Sequence, residues 1–215
     1  MTKKIVLFAI GSPLLVDVEE SSHRAGLHVA AGVRNWPGPH HLPDGMCVLT
    51  PESLTPELLE LPFLVPLFTP RHRRSAVRQA EVLGFRKALT LIDPSVARPR
   101  RLELGRGCYV NAGVTVGSAC GFDSFVLINR GATIGHHARL GAFVSIGPGA
   151  VLAGQVTVGA GSTVCAGAII LPGVTVGEDA VVGAGTVVTR DVPDGSLMVG
   201  NPGRIVRRDP VLQAV

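Results

Sequence analysis

The sequence predicts two units in series, a small parallel α/β domain and then a three-sided parallel β-helix built on a repeat of six residues. Three observations carry the prediction. From Leu104 onward every sixth residue is apolar: Leu104, Val110, Val116, Phe122, Ile128, Ile134, Leu140, Ile146, Leu152, Val158, Val164, Ile170, Val176, Val182 and Val188. With 46% of the chain hydrophobic, fifteen such hits at one phase arise by chance about once in 10⁵. Next, 27 glycines and 16 prolines in 215 residues coexist with only 17% charged residues, so many turns alternate with buried segments and a disordered chain is excluded. Finally, the first 95 residues lack the repeat and instead alternate β-branched runs with polar, helix-like stretches.

The elements follow in chain order. Residues 4–10 form an apolar run that ends at Gly11-Ser12, a polar helical stretch comes next, and residues 27–33 give a second strand; this is a βαβ opening. Further on, ESLTPELLELP and PRHRRSAVRQAEVLG read as helices, and FLVPLF and KALTLID as strands. The result is a Rossmann-like domain over 1–95. Such sheets bind ligands beyond the carboxyl ends of their strands, which makes Gly11, Ser12, Pro13, Arg34 and Asn35 the expected acceptor pocket. The single glycine in that turn falls short of the three in a dinucleotide fingerprint.

Over 96–191 the hexads wind three to a coil, with the sixth residue of each pointing to the axis. Small or medium residues two positions earlier (Val114, Cys120, Val126, Ala132, Ala138, Val144, Ala150) share the interior, and Gly or Asn often turns the corner. At 4% aromatic residues, the core must be Val, Ile, Leu and Ala, which suit stacked strands. Residues eighteen apart lie one above the other, so Asn111 stacks beneath Asn129. The outward residues form three columns: Tyr109, Leu127, Ser145, Thr163, Val181; Thr115, Thr133, Val151, Ile169, Val187; and Glu103, Gly121, Arg139, Thr157, Thr175. The first two are uncharged, as the two unlike faces of a ring would be, and predict a homotrimer that charge at Leu127 or Ile169 would break. Residues 192–215 form a C-terminal extension.

Composition narrows the function classes. Net charge is +4, which fits an anionic small ligand or an ordinary surface, and no nucleic-acid module is present. No apolar run approaches the roughly 20 residues of a membrane helix. The N-terminal apolar stretch meets Asp17, Glu19 and Glu20 without a cleavage site. A soluble cytoplasmic protein with no membrane insertion is expected. Cys47, Cys108, Cys120 and Cys165 show no CxxC pairing and read as buried thiols.

His136 and His137 stand at a corner directly after axial Ile134, where side chains project outward and an imidazole can take a proton near neutral pH. Histidines shared between subunits could instead hold zinc, but His23, His28, His40, His41 and His72 all precede the β-helix, so no metal is expected. Gly154, eighteen residues after His136, leaves backbone exposed above it, and its N–H could polarise a thioester carbonyl.

Six segments carry a resemblance: VTVGAG, VTVGED, AVVGAG, the terminal VVTRDVPDGSLMVGNPGRIV, the joint LIDPSVA, and NRGATIGHHARLG. Together they resemble hexapeptide-repeat bacterial sugar acyltransferases of the sialic-acid O-acetyltransferase and bacillosamine N-acetyltransferase type, over nearly the whole chain. The resemblance implies a left-handed β-helix, a trimer, acetyl-CoA lying along the coils between subunits, and an N-terminal domain that holds a nucleotide sugar. It gives His136 the role of catalytic base, Asn129 that of the corner asparagine, and Gly154, Ala166 and Ala184 contacts to the coenzyme. Relatives place an acidic residue after the base, where this chain has His137. Their Gly-Ala-Gly-Gly turn is here Ala9-Ile10-Gly11-Ser12, and their strand-two aspartates are Arg34-Asn35. The expected activity is acetyl transfer to a sugar amine or hydroxyl. A γ-carbonic-anhydrase-like zinc hydratase and a non-catalytic β-helix assembly subunit are the alternatives.

Overall fold

The computed structural model describes residues 3–208. The N-terminal sheet consists of β1 (Lys3–Phe8), β2 (Leu27–Val33), β3 (Val48–Leu49) and β4 (Phe63–Leu64), all parallel, in the order β3-β2-β1-β4. The period of two in β1 sends Ile5 and Leu7 to one side and Val6 and Phe8 to the other, and all four are buried. Both sides are buried because each is covered. Ile5 and Leu7 pack with α1 (Leu15–Arg24) and with prism residues Tyr109 and Leu127. Val6 and Phe8 pack with Ala76, Val77 and Ala80 of α3 (Pro70–Leu83) and with Phe85 and Phe125. Helix α3 starts on a proline at its first turn and stops at Gly84, whose φ of 116° only glycine adopts without strain.

Three expected elements are shorter or elsewhere. Prolines at 51, 56 and 62 punctuate ESLTPELLELP, which forms a 3₁₀ turn at Pro51–Ser53 and a four-residue helix at Pro56–Leu59 instead of one helix. The four-residue helix is α2; the strand in FLVPLF is only Phe63–Leu64, because Pro66 cannot donate to a ladder. KALTLID is divided: Ala88 bridges to Phe63, and Leu91–Ile92 stacks beneath Tyr109–Val110 in the prism. The chain therefore joins the prism's sheet ahead of residue 96.

The prism follows the six-residue repeat throughout. From Leu102–Leu104 to Val187–Val188 every strand of its three faces ends on an axial residue of the series and pairs in parallel with a strand eighteen residues away. The register slips only at the top, where Val181 pairs with Leu197 and an antiparallel strand, Arg204–Arg208, closes the stack. Of the expected extension over 192–215, residues 209–215 lie outside the described residues.

The three columns have different surroundings. On face one, Tyr109, Leu127 and Ser145 are buried beneath this chain's own N-terminal domain, so Leu127 is not the subunit-interface residue expected from its column. The reason is intramolecular: the apolar face of β1 and α1 must be covered, and face one is what covers it. On face two, Val151 is 37% and Ile169 40% exposed, and Thr115 and Thr133 are exposed beside them. Face three carries exposed Glu103 and Arg139. The cysteines differ as well. Cys108 and Cys120 are buried, with their thiols donating to the carbonyls of Asp123 and of Gly117 and Gly135, whereas Cys47 is exposed, contrary to the expectation that all four are buried.

Candidate active site

The corner between faces two and three carries His136 and His137. It is built by Thr133–Ile134 before it and Arg139–Leu140 after it, both pinned by parallel pairing to the coils on either side. His137 holds the left-handed turn at φ 59°. The two imidazoles meet Nδ1 to Nδ1 at 3.0 Å with rings nearly perpendicular. One of these nitrogens must donate and the other accept, so the contact holds a single hydrogen and both rings cannot be protonated within it. When His136 donates, its Nε2 keeps a lone pair.

The His136 ring lies across Gly154. A Cβ added at Gly154 would come within 2.6 Å of both Cε1 and Nε2 of His136, so any other residue there would push the ring out of this position. The Gly154 carbonyl accepts from Gly173 N, and among the described residues no acceptor takes the Gly154 N–H. A base and a backbone donor thus stand side by side at this corner. Burial holds the Cys165 and Cys120 thiols above their ordinary range, as expected of packing residues.

The other expected groups on the prism stand elsewhere. Asn129 follows Leu127–Ile128 at the opposite edge of face two, where its Oδ1 accepts from Asn111 Nδ2 at 2.9 Å and from Arg130 N at 2.8 Å. The asparagine ladder is therefore present, and Asp17 reaches into it from α1, bonded to both Asn111 and Arg130. Ala166 and Ala184 stack at that same edge. Within one chain the structure brings Gly154 to His136, and it leaves Asn129, Ala166 and Ala184 across face two.

At the carboxyl ends of β1 and β2, beside the point where the strand order reverses, a pocket of about 500 Å³ is lined by Ala9, Gly11, Arg34, Asn35, Trp36, the 37–39 turn, Leu67, His72, Ser75 and Ala76. Gly11, Arg34 and Asn35 stand where the sequence places them. Ser12 and Pro13 do not line the pocket; Ser12 Oγ accepts from Leu14 N at the entry to α1. Asn35 is braced by Gln79, its Nδ2 donating to Oε1 at 2.8 Å. Trp36, His72 and Ser75 were not read from the sequence. Trp36 could have been, being the chain's single tryptophan, set directly after the expected pocket residues, and it is 79% exposed. The lining has cationic Arg34, His72 and an open indole face and no carboxylate, which suits an anionic ligand with a ring to stack. Among the described residues no three His, Cys, Asp or Glu converge to hold a metal.

A family model described as bacterial transferase hexapeptide (six repeats) matches residues 137–171 and 155–190. Among solved structures, the chain is similar to GDP-perosamine N-acetyltransferase from Caulobacter crescentus in complex with CoA and GDP-perosamine. The identity is 33% and the TM-score 0.82, over 95% of this chain and 97% of that one. Structures of that enzyme also exist with one histidine changed to alanine or to asparagine. The acetyltransferase domain of PglB from Neisseria gonorrhoeae FA1090, in complex with acetyl coenzyme A, is 30% identical with a TM-score of 0.83, over 95% and 99% of the two chains. WeeI from Acinetobacter baumannii AYE, at 21% identity and a TM-score of 0.69 over 96% and 100%, shares the fold. No curated protein matches by sequence. The fold class is an α/β domain followed by a left-handed parallel β-helix of hexapeptide repeats.

Proposed function

The chain belongs to the hexapeptide-repeat nucleotide-amino-sugar N-acetyltransferases, and on that footing we propose that it transfers an acetyl group from acetyl-CoA to an amino group of a nucleotide-linked sugar with His136 as general base. The observation that carries the reading is the His136 ring laid across Gly154, its Nδ1 engaged by His137 and its Nε2 over the Gly154 backbone. Acetyl-CoA would supply an activated acetyl thioester, and the bare Gly154 backbone leaves room for its carbonyl. His136 Nε2 accepts the proton as the amine attacks. The Gly154 N–H stabilises the developing oxyanion. His136 then returns the proton to the departing thiolate, so the base is regenerated with free CoA and the N-acetyl sugar as products. His137 fixes the ring through Nδ1 in the place where relatives carry an acid. Lacking a carboxylate, it orients the ring without bringing a negative charge to the imidazolium.

The pocket at residues 9–39 and 67–76 receives the nucleotide part of the acceptor, with Arg34 and His72 toward phosphate and Trp36 toward the base. We take the working form to be a homotrimer with acetyl-CoA lying along the coils between subunits; the uncharged, exposed column on face two, with Val151 and Ile169 among its residues, supports this. Four free cysteines fit work in the cytoplasm.

The test is incubation with acetyl-CoA and a panel of GDP-, UDP- and dTDP-linked amino sugars, following thiol release and product mass. His136→Ala is expected to lower kcat about 10²–10⁴-fold with little change in acetyl-CoA affinity. His137→Ala should cost less. Wild-type kcat in His136→Ala would remove the base from this corner, and stoichiometric zinc without thiol release would turn the reading to a hydratase.

A further inference from the structure

Arg73 is the largest fully buried side chain of the molecule, 2% exposed. Among the described residues no carboxylate pairs with its charge. Instead Nε donates to Phe125 O (3.0 Å), Nη1 to Leu67 O (2.6 Å), Phe68 O (2.7 Å) and Ser145 Oγ (3.0 Å), and Nη2 to Phe143 O (2.7 Å) and Val144 O (3.0 Å). Burial lowers its pKa to about 9, which leaves it a cation at neutral pH. Six oxygens around one planar guanidinium fix position and orientation together, which a lysine ammonium cannot do.

The prism side of this joint is strained. Phe125 and Phe143 occupy successive corners in the left-handed conformation, at φ 61° and 62°, a region costly for bulky side chains. Their rings stack at 5.0 Å, and the stack is closed at both ends by guanidinium groups 5.2 Å away, Arg106 over Phe125 and Arg74 over Phe143. Gly107 makes space for the arrangement, since a Cβ there would strike the Phe125 ring at 2.3 Å. Arg106 also bonds Glu81 of α3 at 2.9 Å. One helix is thus tied to three coil corners, through Arg73, Arg74 and Glu81.

The same helix and the loop before it form one wall of the acceptor pocket. His72, Ser75 and Ala76 flank Arg73 on α3, and Leu67 gives Arg73 its carbonyl and lines the pocket as well. We infer that Arg73 is a positioning residue for the transfer reaction, setting the acceptor pocket in register with the coils that carry His136. The inference rests on the acetyl-transfer reading above.

Arg73→Lys keeps the charge and loses the six-point geometry. With GDP-perosamine as acceptor, its acceptor KM should rise about 10- to 100-fold while acetyl-CoA KM stays within about twofold, and hydrogen exchange should accelerate in α3 but not in the prism. Should Arg73→Lys not fold, Ser145→Ala, which removes one acceptor, should raise acceptor KM about two- to fivefold. Unchanged acceptor KM and α3 exchange in either folded variant overturns the inference, as does a loss of kcat proportional to unfolded protein with both KM values intact. Absence of transfer by the wild-type chain on the whole acceptor panel is a different result and overturns the underlying reading.

Discussion

Faces one and two of the prism are built from similar residues and have opposite environments. Tyr109 and Leu127 on face one are shielded by β1 and α1, and Ser145 by Phe68 and Arg73, whereas Thr115, Thr133, Val151 and Ile169 on face two face outward. An uncharged column does not by itself fix its environment. The same kind of residues lies under this chain's own domain on one face and open on the other.

The contrast can be broken most violently at Leu127. An aspartate there would set an unpaired carboxylate against Tyr109 and the apolar side of the N-terminal sheet, and Leu127→Asp should cost about 4–5 kcal/mol of stability. Denaturant unfolding checks it, and a stability near wild type would mean that the domain does not seat on face one. Ile169→Asp should act differently, leaving each chain folded to within about 0.5 kcal/mol but separating the copies. Sedimentation would show monomers with lost activity; a variant that stays trimeric, or a wild type that is already monomeric, removes face two from the subunit contact.

The smallest effect sharpens the contrast by pH. Asp93 is buried at the seam between α1 and the prism. Burial by itself would raise its carboxyl, but bonds from Ser95 and Ser21 and the Arg24 cation outweigh burial and hold it below the usual carboxylate value. A depressed folded pKa adds stability above the unfolded value, near about 4, and loses it as pH falls below that. The docking of the domain on face one should therefore weaken in acid more than the prism itself does. Asp93→Asn should remove that difference, and pH-dependent melting of both chains would show whether it does.

Legibility in the sequence followed the range of the interactions. The prism was readable because its contacts repeat at a fixed offset: eighteen residues predicted the Asn111–Asn129 bond and the place of His136 beneath Gly154. The βαβ opening and the pocket at Gly11, Arg34 and Asn35 were readable from strand ends. Arg73 was visible only as one of several basic residues on a helix, since its partners at Leu67, Phe125 and Phe143 share no spacing. Trp36 and His72 escaped for the same reason. The His137 contact to His136 Nδ1 also lay beyond the reach of sequence, because the left-handed turn that aims the ring is a property of the corner.

The eighteen-residue register makes the prism a ruler marked only in whole turns. A duplication of eighteen residues at a corner would lengthen the edge above His136 by about 4.8 Å and leave all interior side chains facing inward, while a single-residue insertion would rotate every later hexad out of phase. The stretch above the histidine corner can therefore change length during descent only in quanta of one coil, and the reach of any long, thin substrate laid along it changes in the same steps.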